Sequence, residues 1–130
     1  AGLRAAARSR RDRRQALEAA EALGALASAR GLGEGTRDAL AEVALGFFTP
    51  SLLRAACGAT LARAGDPRGE ETLRRVLRGW RAGGRDYAAH AAGELGLRGL
   101  IPDLERVRER RKASAEVVDT ALRALRAEAP

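Results

Sequence analysis

The sequence predicts an all-α protein, an α-α superhelix (solenoid) of about three and a half helical hairpins. Short Ala- and Leu-rich segments recur along the chain, and Gly and Pro punctuate the sequence between them. No segment shows the alternation typical of a half-buried strand. One leucine marks each recurring segment, and these leucines lie 38, 34 and 27 residues apart, as expected for stacked hairpins. The marker residues are Leu23, Leu61, Leu95 and Leu122.

The repeats are predicted to form a single domain over residues 1–130, which we expect to be one region of a longer bacterial protein. Aromatic residues make up only 3% of the chain, so the core must consist mainly of Leu, Ala and Val. Each hairpin then buries little apolar surface alone, and stability depends on the interfaces between neighbouring repeats. The approximate repeats are 11–48, 50–82, 86–112 and, in part, 114–127, preceded by a basic arm at 1–10.

The first repeat is predicted to contain two helices. Residues 11–29 are rich in Ala, Leu and Glu, which are strong helix formers, and a Gly-rich connection follows them. Thr36 is the predicted N-cap of the second helix, and Asp38 lies in its first turn, where the helix dipole favours an anion. This second helix is predicted to reach about Phe48.

The second repeat carries the clearest start and stop signals. Thr49 and Pro50 predict a capped third helix that ends at Gly65. Asp66 then caps the fourth helix and Pro67 begins it, because the N–H that proline lacks has no partner at the first helical position. Four apolar residues of this helix lie at helical spacing and are expected to pack in the core: Leu73, Val76, Leu77 and Trp80.

The remaining helices are delimited by weaker signals. Two glycines at 83–84 are predicted to end the fourth helix, and Asp86 is the predicted cap of a fifth helix over 87–96. Pro102 begins the sixth helix. Ser114 is the predicted cap of a seventh helix, which supplies only the first half of a fourth repeat. The apolar residues that share one face of the sixth helix are Leu100, Leu104 and Val107.

The chain is strongly basic, with a net charge of +7 and a pI near 11.2. All but one of its 24 basic residues are arginine, and Asn and Met are absent, which is typical of a GC-rich bacterial genome. We therefore interpret most of the charge as compositional. Nucleic-acid binding stays open as an alternative, favoured by six arginines within residues 4–14 and by a second cluster. The second cluster consists of Arg74, Arg75, Arg78, Arg81 and Arg85.

No catalytic, cofactor or metal site is predicted. Cys57 is the single cysteine, which excludes an internal disulfide and a Cys-based zinc site, and its Ala-like position predicts a small buried thiol. His90 is the only histidine, and one imidazole cannot supply a metal ligand set, so we expect it on the surface. No serine lies in a Gly-x-Ser-x-Gly elbow, and no Gly-rich phosphate loop follows a strand. The sequence therefore predicts a protein that is not an enzyme.

The sequence also leads to an expectation about the compartment. No apolar stretch approaches the ~20 residues that span a bilayer. The N-terminal residues contain no hydrophobic segment typical of a signal peptide. We therefore expect a cytoplasmic protein with no membrane partner.

Residues 53–77 combine a small-residue helix, a Gly-Asp-Pro turn and a second helix with apolar residues at helical spacing. In this pattern the chain resembles HEAT-like repeats, specifically the short bacterial type that is also found in phycobilisome lyases. Residues 87–107 lack the Asp-Pro turn, and residues 15–48 match mainly in the first helix, so an unrelated array of hairpins is the alternative. The best-matching positions are Leu53, Arg54, Cys57, Gly58, Leu61, Gly65, Asp66, Pro67, Leu73 and Leu77.

The resemblance implies a function as well as a fold. In this family the second helix of each repeat lines a concave face that binds partners, which implies a non-catalytic protein–protein interaction scaffold of unspecified partner. The face is mixed in sign, so an acidic protein surface fits its arginines as readily as phosphate does. The residues that the resemblance places on this face are Arg37, Ala41, Arg68, Glu71, Arg75, Arg78, Asp103, Arg106 and Arg110.

Two other functions stay open. One is binding of the nucleic-acid phosphate backbone through the Arg-rich surface, which would weaken steeply with salt. The other is a bilin-lyase-like enzyme or accessory, which the resemblance implies through the repeat alone. A tetrapyrrole titration without an absorbance change would exclude the bilin-lyase-like function.

Overall fold

The computed structural model describes residues 33–46 and 49–127, together with the separate positions 10, 11, 14, 15, 18 and 21. The backbone of this part of the chain is helical apart from turns and short connections, and it contains no strand. The all-α prediction is therefore confirmed. The basic arm other than Arg10, most of the predicted first helix, and Phe48 lie outside the described residues.

Six α-helices occupy the described ranges after residue 33. They are α1 (Glu34–Ala44), α2 (Ser51–Arg63), α3 (Pro67–Arg78), α4 (Ala82–Glu94), α5 (Ile101–Arg110) and α6 (Ala115–Ala127). Short 3₁₀ turns at Arg98–Leu100 and Lys112–Ser114 lead into α5 and α6.

The six helices pack in two layers. In one layer, α4 lies between α2 and α6; in the other, α3 lies between α1 and α5. We call these the even layer and the odd layer. The core lies between them, where Leu73 and Leu77 of α3 pack with the alanines of α4 and with Leu122 and Leu125 of α6.

Helix α2 is buried on several sides because α1, α3 and α4 all pack against it. All seven residues from 55 to 61 are buried, which an Ala-rich sequence permits since its short side chains let neighbouring backbones approach. The closest approach joins α2 to α3 at Gly69. A Cβ atom there would lie 2.2 Å from the backbone N of Ala62 and 2.5 Å from the carbonyl O of Gly58. Only glycine therefore fits this crossing.

Neighbouring helices of the even layer also meet through small residues. A Cβ atom at Gly84 in α4 would lie 2.9 Å from the Cβ of Ser51 in α2. At Gly93, near the other end of α4, a Cβ would lie 2.9 Å from the Cα of Ala121 in α6. The scarcity of aromatic residues is thus matched by close helix contacts.

The turn between α2 and α3 has the predicted chemistry. Gly65 adopts a positive φ of 81°, which ends α2 in the left-handed conformation that glycine tolerates. Asp66 is the N-cap of α3, and its carboxylate accepts a hydrogen bond of 3.0 Å from the backbone N–H of Arg68. Pro67 occupies the first turn of the helix, as expected.

Two predicted caps of earlier helices are wrong. Helix α1 begins at Glu34, so Thr36 lies inside the helix, and the N-cap is Gly33 without a side-chain hydrogen bond. The helix also ends at Ala44, before the predicted end. Thr49 does not cap α2, because Pro50 occupies the N-cap position; the Thr49 hydroxyl instead donates a 2.6 Å hydrogen bond to the carbonyl of Val43 in α1.

The predicted boundary between the fourth and fifth helices is also wrong. Helix α3 ends at Arg78, followed by Gly79, and α4 already begins at Ala82. The glycines at 83–84 therefore lie in the first turn of α4, and Asp86 lies within the helix. Gly84 permits the close contact between α4 and α2 and does not form a turn.

Trp80 lies outside the core, contrary to its helical spacing from Leu77. The helix stops before it, and the indole side chain is 72% exposed. The other residues of the predicted stripe, Leu73, Val76 and Leu77, are buried as expected. The predicted apolar face of α5 is also confirmed, since Leu100, Leu104 and Val107 are all buried.

The cap of α3 makes a testable contribution to stability. Hydrogen bonding to Arg68 holds the pKa of Asp66 below its ordinary value, so the carboxylate stabilises the fold fully above about pH 3.9, the ordinary pKa of Asp. This stabilisation is lost as the pH falls through the lower pKa of the folded state. We expect Asp66→Ala to lower the free energy of unfolding by about 1–2 kcal/mol at neutral pH in urea denaturation.

A matched variant, Asp66→Asn, keeps a capping acceptor but no charge. Its stability should exceed that of Asp66→Ala and should change less between pH 5 and pH 3 than that of the wild type. Equal urea midpoints for wild type and Asp66→Ala would contradict this account of the turn.

Candidate binding surface

The predicted residues of the binding face all lie on helices of the odd layer, but one of them, Ala41, is buried in the core. Ala41 in α1 is buried with Leu40 and Ala44 against α2, so its assignment to the binding face is wrong. The eight charged members are distributed over α1, α3 and α5. They fall into Arg37 and Arg68, which both act on Asp66, the ion pair of Glu71 and Arg75, and a larger group around Asp103.

Asp103 is the centre of that larger group. It lies in the first turn of α5 and is only 5% exposed. Arg78 of α3 donates from Nε to Oδ1 at 3.1 Å, and Arg74 donates from Nε to Oδ2 at 3.3 Å. Arg106 places Nη1 3.8 Å from Oδ1. One buried carboxylate thus accepts hydrogen bonds from two guanidinium groups and forms an ion pair with a third.

A groove opens beside Asp103, between the C-terminal parts of α3 and α5, and encloses about 280 Å³. Four arginines and one carboxylate line it, so its charge is strongly positive. Leu77 and Val107 supply an apolar floor. We call this feature the arginine groove; its lining residues are Leu77, Arg78, Gly79, Asp103, Arg106, Val107, Arg110 and Arg111.

Among the charged residues that contact Asp103 or line the arginine groove, the resemblance identified Arg78, Asp103, Arg106 and Arg110. It missed Arg74, which contacts Asp103, and Arg111, which lines the groove. Arg74 also pairs with Glu71 at 2.8 Å and with Glu70 at 3.7 Å. Its burial is the largest single influence and lowers its pKa, but the hydrogen bonds to Glu71 and Asp103 outweigh it and raise the pKa overall. The spacing of Glu70, Arg74 and Arg78 at four-residue intervals could have revealed this row of side chains.

A second ionic cluster joins α1 to α3. Arg68 contacts Asp66 at 2.7 Å and Asp38 of α1 at 3.0 Å. These hydrogen bonds raise the pKa of Arg68, and the charge of Arg37 adds to the lowering of the pKa of Asp66. Asp38 was predicted to interact favourably with the dipole of its own helix. Through its ion pair with Arg68 it also links α1 to α3 in the odd layer.

Charge is separated along the odd layer. Helices α3 and α5 run in the same direction, since Glu70 lies beside Gly99, Arg78 contacts Asp103, and Gly79 shares the groove with Arg111. Their first turns carry acidic residues and their last turns carry arginines, which suits the helix dipole at both ends. Glu70 and Glu71 thus lie near the start of α3, whereas the arginine groove forms a basic edge at the C-terminal ends of α3 and α5.

Trp80 follows directly on this basic edge. Its exposed ring lies beneath the guanidinium of Arg81, with Cζ 4.6 Å from the ring centroid. Gly79, the residue before it, lines the arginine groove. The structure thus joins an exposed cation–aromatic pair to a groove rich in arginine.

The predicted cluster of five arginines does not form one surface. Arg85 is 3% exposed, and its Nε donates a 3.0 Å hydrogen bond to the buried hydroxyl of Ser114. Arg74 is partly buried among carboxylates. A continuous phosphate-binding stripe over these residues is therefore not present.

On the even layer, His90 is exposed as predicted and lies 3.2 Å from Glu94. The nearby Tyr87 donates a 3.4 Å hydrogen bond to Glu21, and burial together with that carboxylate raises the pKa of the tyrosine. Among the described residues, no group of three or more His, Cys, Asp and Glu side chains is arranged to hold a metal ion.

Cys57 is 2% exposed in α2, so the prediction of a buried thiol is confirmed. Burial raises its pKa and so disfavours the thiolate, which is the reactive form. We expect iodoacetamide to alkylate Cys57 at least about ten-fold more slowly in the folded chain than in urea, as measured by mass spectrometry. A small-molecule thiol in both solutions controls for the effect of urea on the reagent; equal rates for Cys57 would contradict its burial.

Within the ranges that the structure describes, no helix is both long enough and apolar enough to cross a membrane. Comparisons of the whole chain with protein-family models, with curated proteins and with solved structures give no match.

Proposed function

We propose that this chain is a non-catalytic protein–protein interaction module built from HEAT-like repeats. In this interpretation α2, α4 and α6 are the first helices of successive repeats, and α1, α3 and α5 are the second helices that line the concave face. The packing order of the two layers supports the assignment, since helices of one kind neighbour each other. The partner binds on the odd layer, and the module acts as a scaffold.

The observation that carries the proposal is the group around Asp103. Arg78 is about half exposed, yet it donates a hydrogen bond to the buried Asp103, and the similarly exposed Arg106 lies 3.8 Å from the same carboxylate. Side chains that are ordered before binding lose less conformational entropy when a partner arrives. An ordered, exposed arginine surface with an apolar floor is therefore suited to recognition.

A display library of protein fragments tests this function. We expect fragments that the wild-type chain enriches to be lost with Arg110→Glu, in the arginine groove, and retained with Arg123→Glu, on α6. Both substitutions change the net charge equally, and both residues are exposed in the last part of a helix. Equal enrichment by the two variants, or no enrichment by the wild type, would contradict the proposal.

Nucleic-acid binding is the second candidate, favoured by the nearness of Trp80 to exposed arginines at one edge of the odd layer. Acidic side chains elsewhere in the layer oppose a long phosphate contact, and we expect no binding of labelled duplex or single strand by anisotropy at low salt. Affinity that falls steeply with salt, and a salt slope reduced by about one for each arginine removed, would instead favour this candidate.

A further inference from the structure

We propose that the arginine groove binds a short, extended acidic peptide segment, whose carboxylates pair with Arg106, Arg110 and Arg111. An apolar side chain of the same segment covers Trp80, which directly follows Gly79 of the groove lining. This inference rests on the proposed function, because it specifies the kind of partner that the odd layer takes.

Unpaired guanidinium groups make up most of the groove's charge. Asp103 engages only Nε of Arg78 and approaches only Nη1 of Arg106, within the part of the chain that the structure describes. Arg110 and Arg111 form no ion pair with any described residue. The planar fork of arginine matches a carboxylate with two parallel hydrogen bonds, so the groove presents several such sites.

The size of the groove favours a short segment over a helix or a folded domain. A cavity of about 280 Å³ lies just below the usual range for small-molecule pockets and holds a few side chains. Along α5, Asp103 and Arg110 are separated by roughly 10 Å at 1.5 Å per residue. About three extended residues span that distance. The apolar floor at Leu77 and Val107 suits the methylene groups of glutamate side chains.

The charge pattern outside the groove favours a peptide over nucleic acid. Glu70 and Glu71 occupy the other end of α3, and neither is buried. Duplex DNA carries a charge about every 1.7 Å along its axis, so a strand that continued along the layer would meet these carboxylates. A peptide can limit its acidic run to three residues and avoid them.

Trp80 gives the segment an apolar contact next to its acidic run. The exposed indole is covered on one side by Arg81, and it follows Gly79 at the end of the groove. Tryptophan and arginine are the residues most enriched at interface hot spots. An aliphatic residue adjoining the carboxylates would therefore contact the indole while the carboxylates fill the groove.

Trp80 is the only tryptophan of the chain, so its fluorescence reports on the segment that directly follows Gly79 of the groove lining. The probe is a capped peptide of three glutamates followed by leucine, and its counterpart has three lysines in their place. We expect a saturable change in Trp80 emission with the acidic peptide alone. Isothermal titration calorimetry measures the same affinity independently. It can also be applied to a Trp80→Ala variant, which has no tryptophan fluorescence.

We expect Arg110→Ala to weaken binding about five-fold, Arg110→Glu to abolish it, and Arg123→Glu to leave it nearly unchanged. Circular dichroism should show that all three variants stay folded, because both residues are exposed. Absence of binding in both assays, equal binding of the lysine peptide, or equal loss with Arg123→Glu would overturn the inference.

The two proposals fail separately. If library fragments depend on Arg110 but carry no acidic run, and the probe does not bind, the interaction function holds and the acidic occupant is wrong. Binding of a labelled single strand that is lost with Arg110→Glu, together with no binding of the probe, would make nucleic acid the occupant and overturn the inference. Probe binding without any enriched fragment would leave the groove as an acidic-peptide site and contradict the scaffold function.

Discussion

Replacing Gly69 by alanine should destabilise the chain by about 3 kcal/mol, at the upper end of the range for overpacking. The new Cβ would lie 2.2 Å from the backbone N of Ala62 and 2.5 Å from the carbonyl O of Gly58. Both contacts are with the backbone of α2, which cannot move aside as a flexible side chain can. Helices α2 and α3 would have to separate, with loss of their packing along the whole crossing.

Urea denaturation followed by far-UV circular dichroism measures the effect, and Gly83→Ala is the matched control. Gly83 lies in the first turn of α4 with no atom near its missing Cβ. Alanine there should raise stability by about 0.5–1 kcal/mol, because it has a higher helix propensity than glycine. If Gly69→Ala unfolded at the urea concentration of the wild type, α2 and α3 would not cross at this residue.

A second expected result is that Leu61→Asp and Leu77→Asp each unfold the chain. Both leucines are buried, at 0% and 2% exposure, one against α1 and the other in the main core cluster. Removing a buried leucine costs about 2–5 kcal/mol, and burying an unpaired carboxylate adds a further penalty. Together these approach the whole stability of a small domain, roughly 5–15 kcal/mol.

Leu45→Asp is the control for this experiment, since Leu45 is 47% exposed just after α1. We expect thermal unfolding of Leu45→Asp to resemble that of the wild type, and the two core variants to lack a cooperative transition. Wild-type melting of Leu61→Asp or Leu77→Asp would mean that the register of α2 or α3 is wrong.

Features set by local chemistry could be predicted from the sequence. The turn from Gly65 to Pro67 forms as predicted because a left-handed glycine, a capping carboxylate and an N-terminal proline each act on their own backbone. The apolar stripes of α3 and α5 follow from helical periodicity. The repeat of the whole chain depends on how helices pair across the molecule and stays a prediction.

Features set by tertiary contact were misread. Gly84 resembles a helix terminator in sequence, yet it lies in α4, where the missing side chain leaves room for Ser51 of α2. Trp80 continues the apolar spacing of α3, but the helix ends at Arg78 and leaves the indole in solvent. For Gly84 the information lies in a neighbouring helix, which the periodicity of a single segment does not show.

The candidate site could be predicted only in part, because its residues come together through contacts between helices. The resemblance placed Arg78, Asp103 and Arg106 on equivalent helices, and the structure brings them together. Arg74 was missed because it lies toward the core side of α3, where Asp103 of the next helix reaches it. Arg85 resembled its exposed neighbours in sequence, but it is buried beside Ser114.

The burial of α2 on several sides has a consequence for amide hydrogen exchange. Its backbone N–H groups from residue 55 to residue 61 are covered by α1, α3 and α4, so a fluctuation that exposes them must displace more than one of these helices. Such an opening costs nearly as much free energy as global unfolding. The exchange rates of α2 therefore report the stability of the whole packed array, whereas those at the exposed ends of α5 report only local fraying.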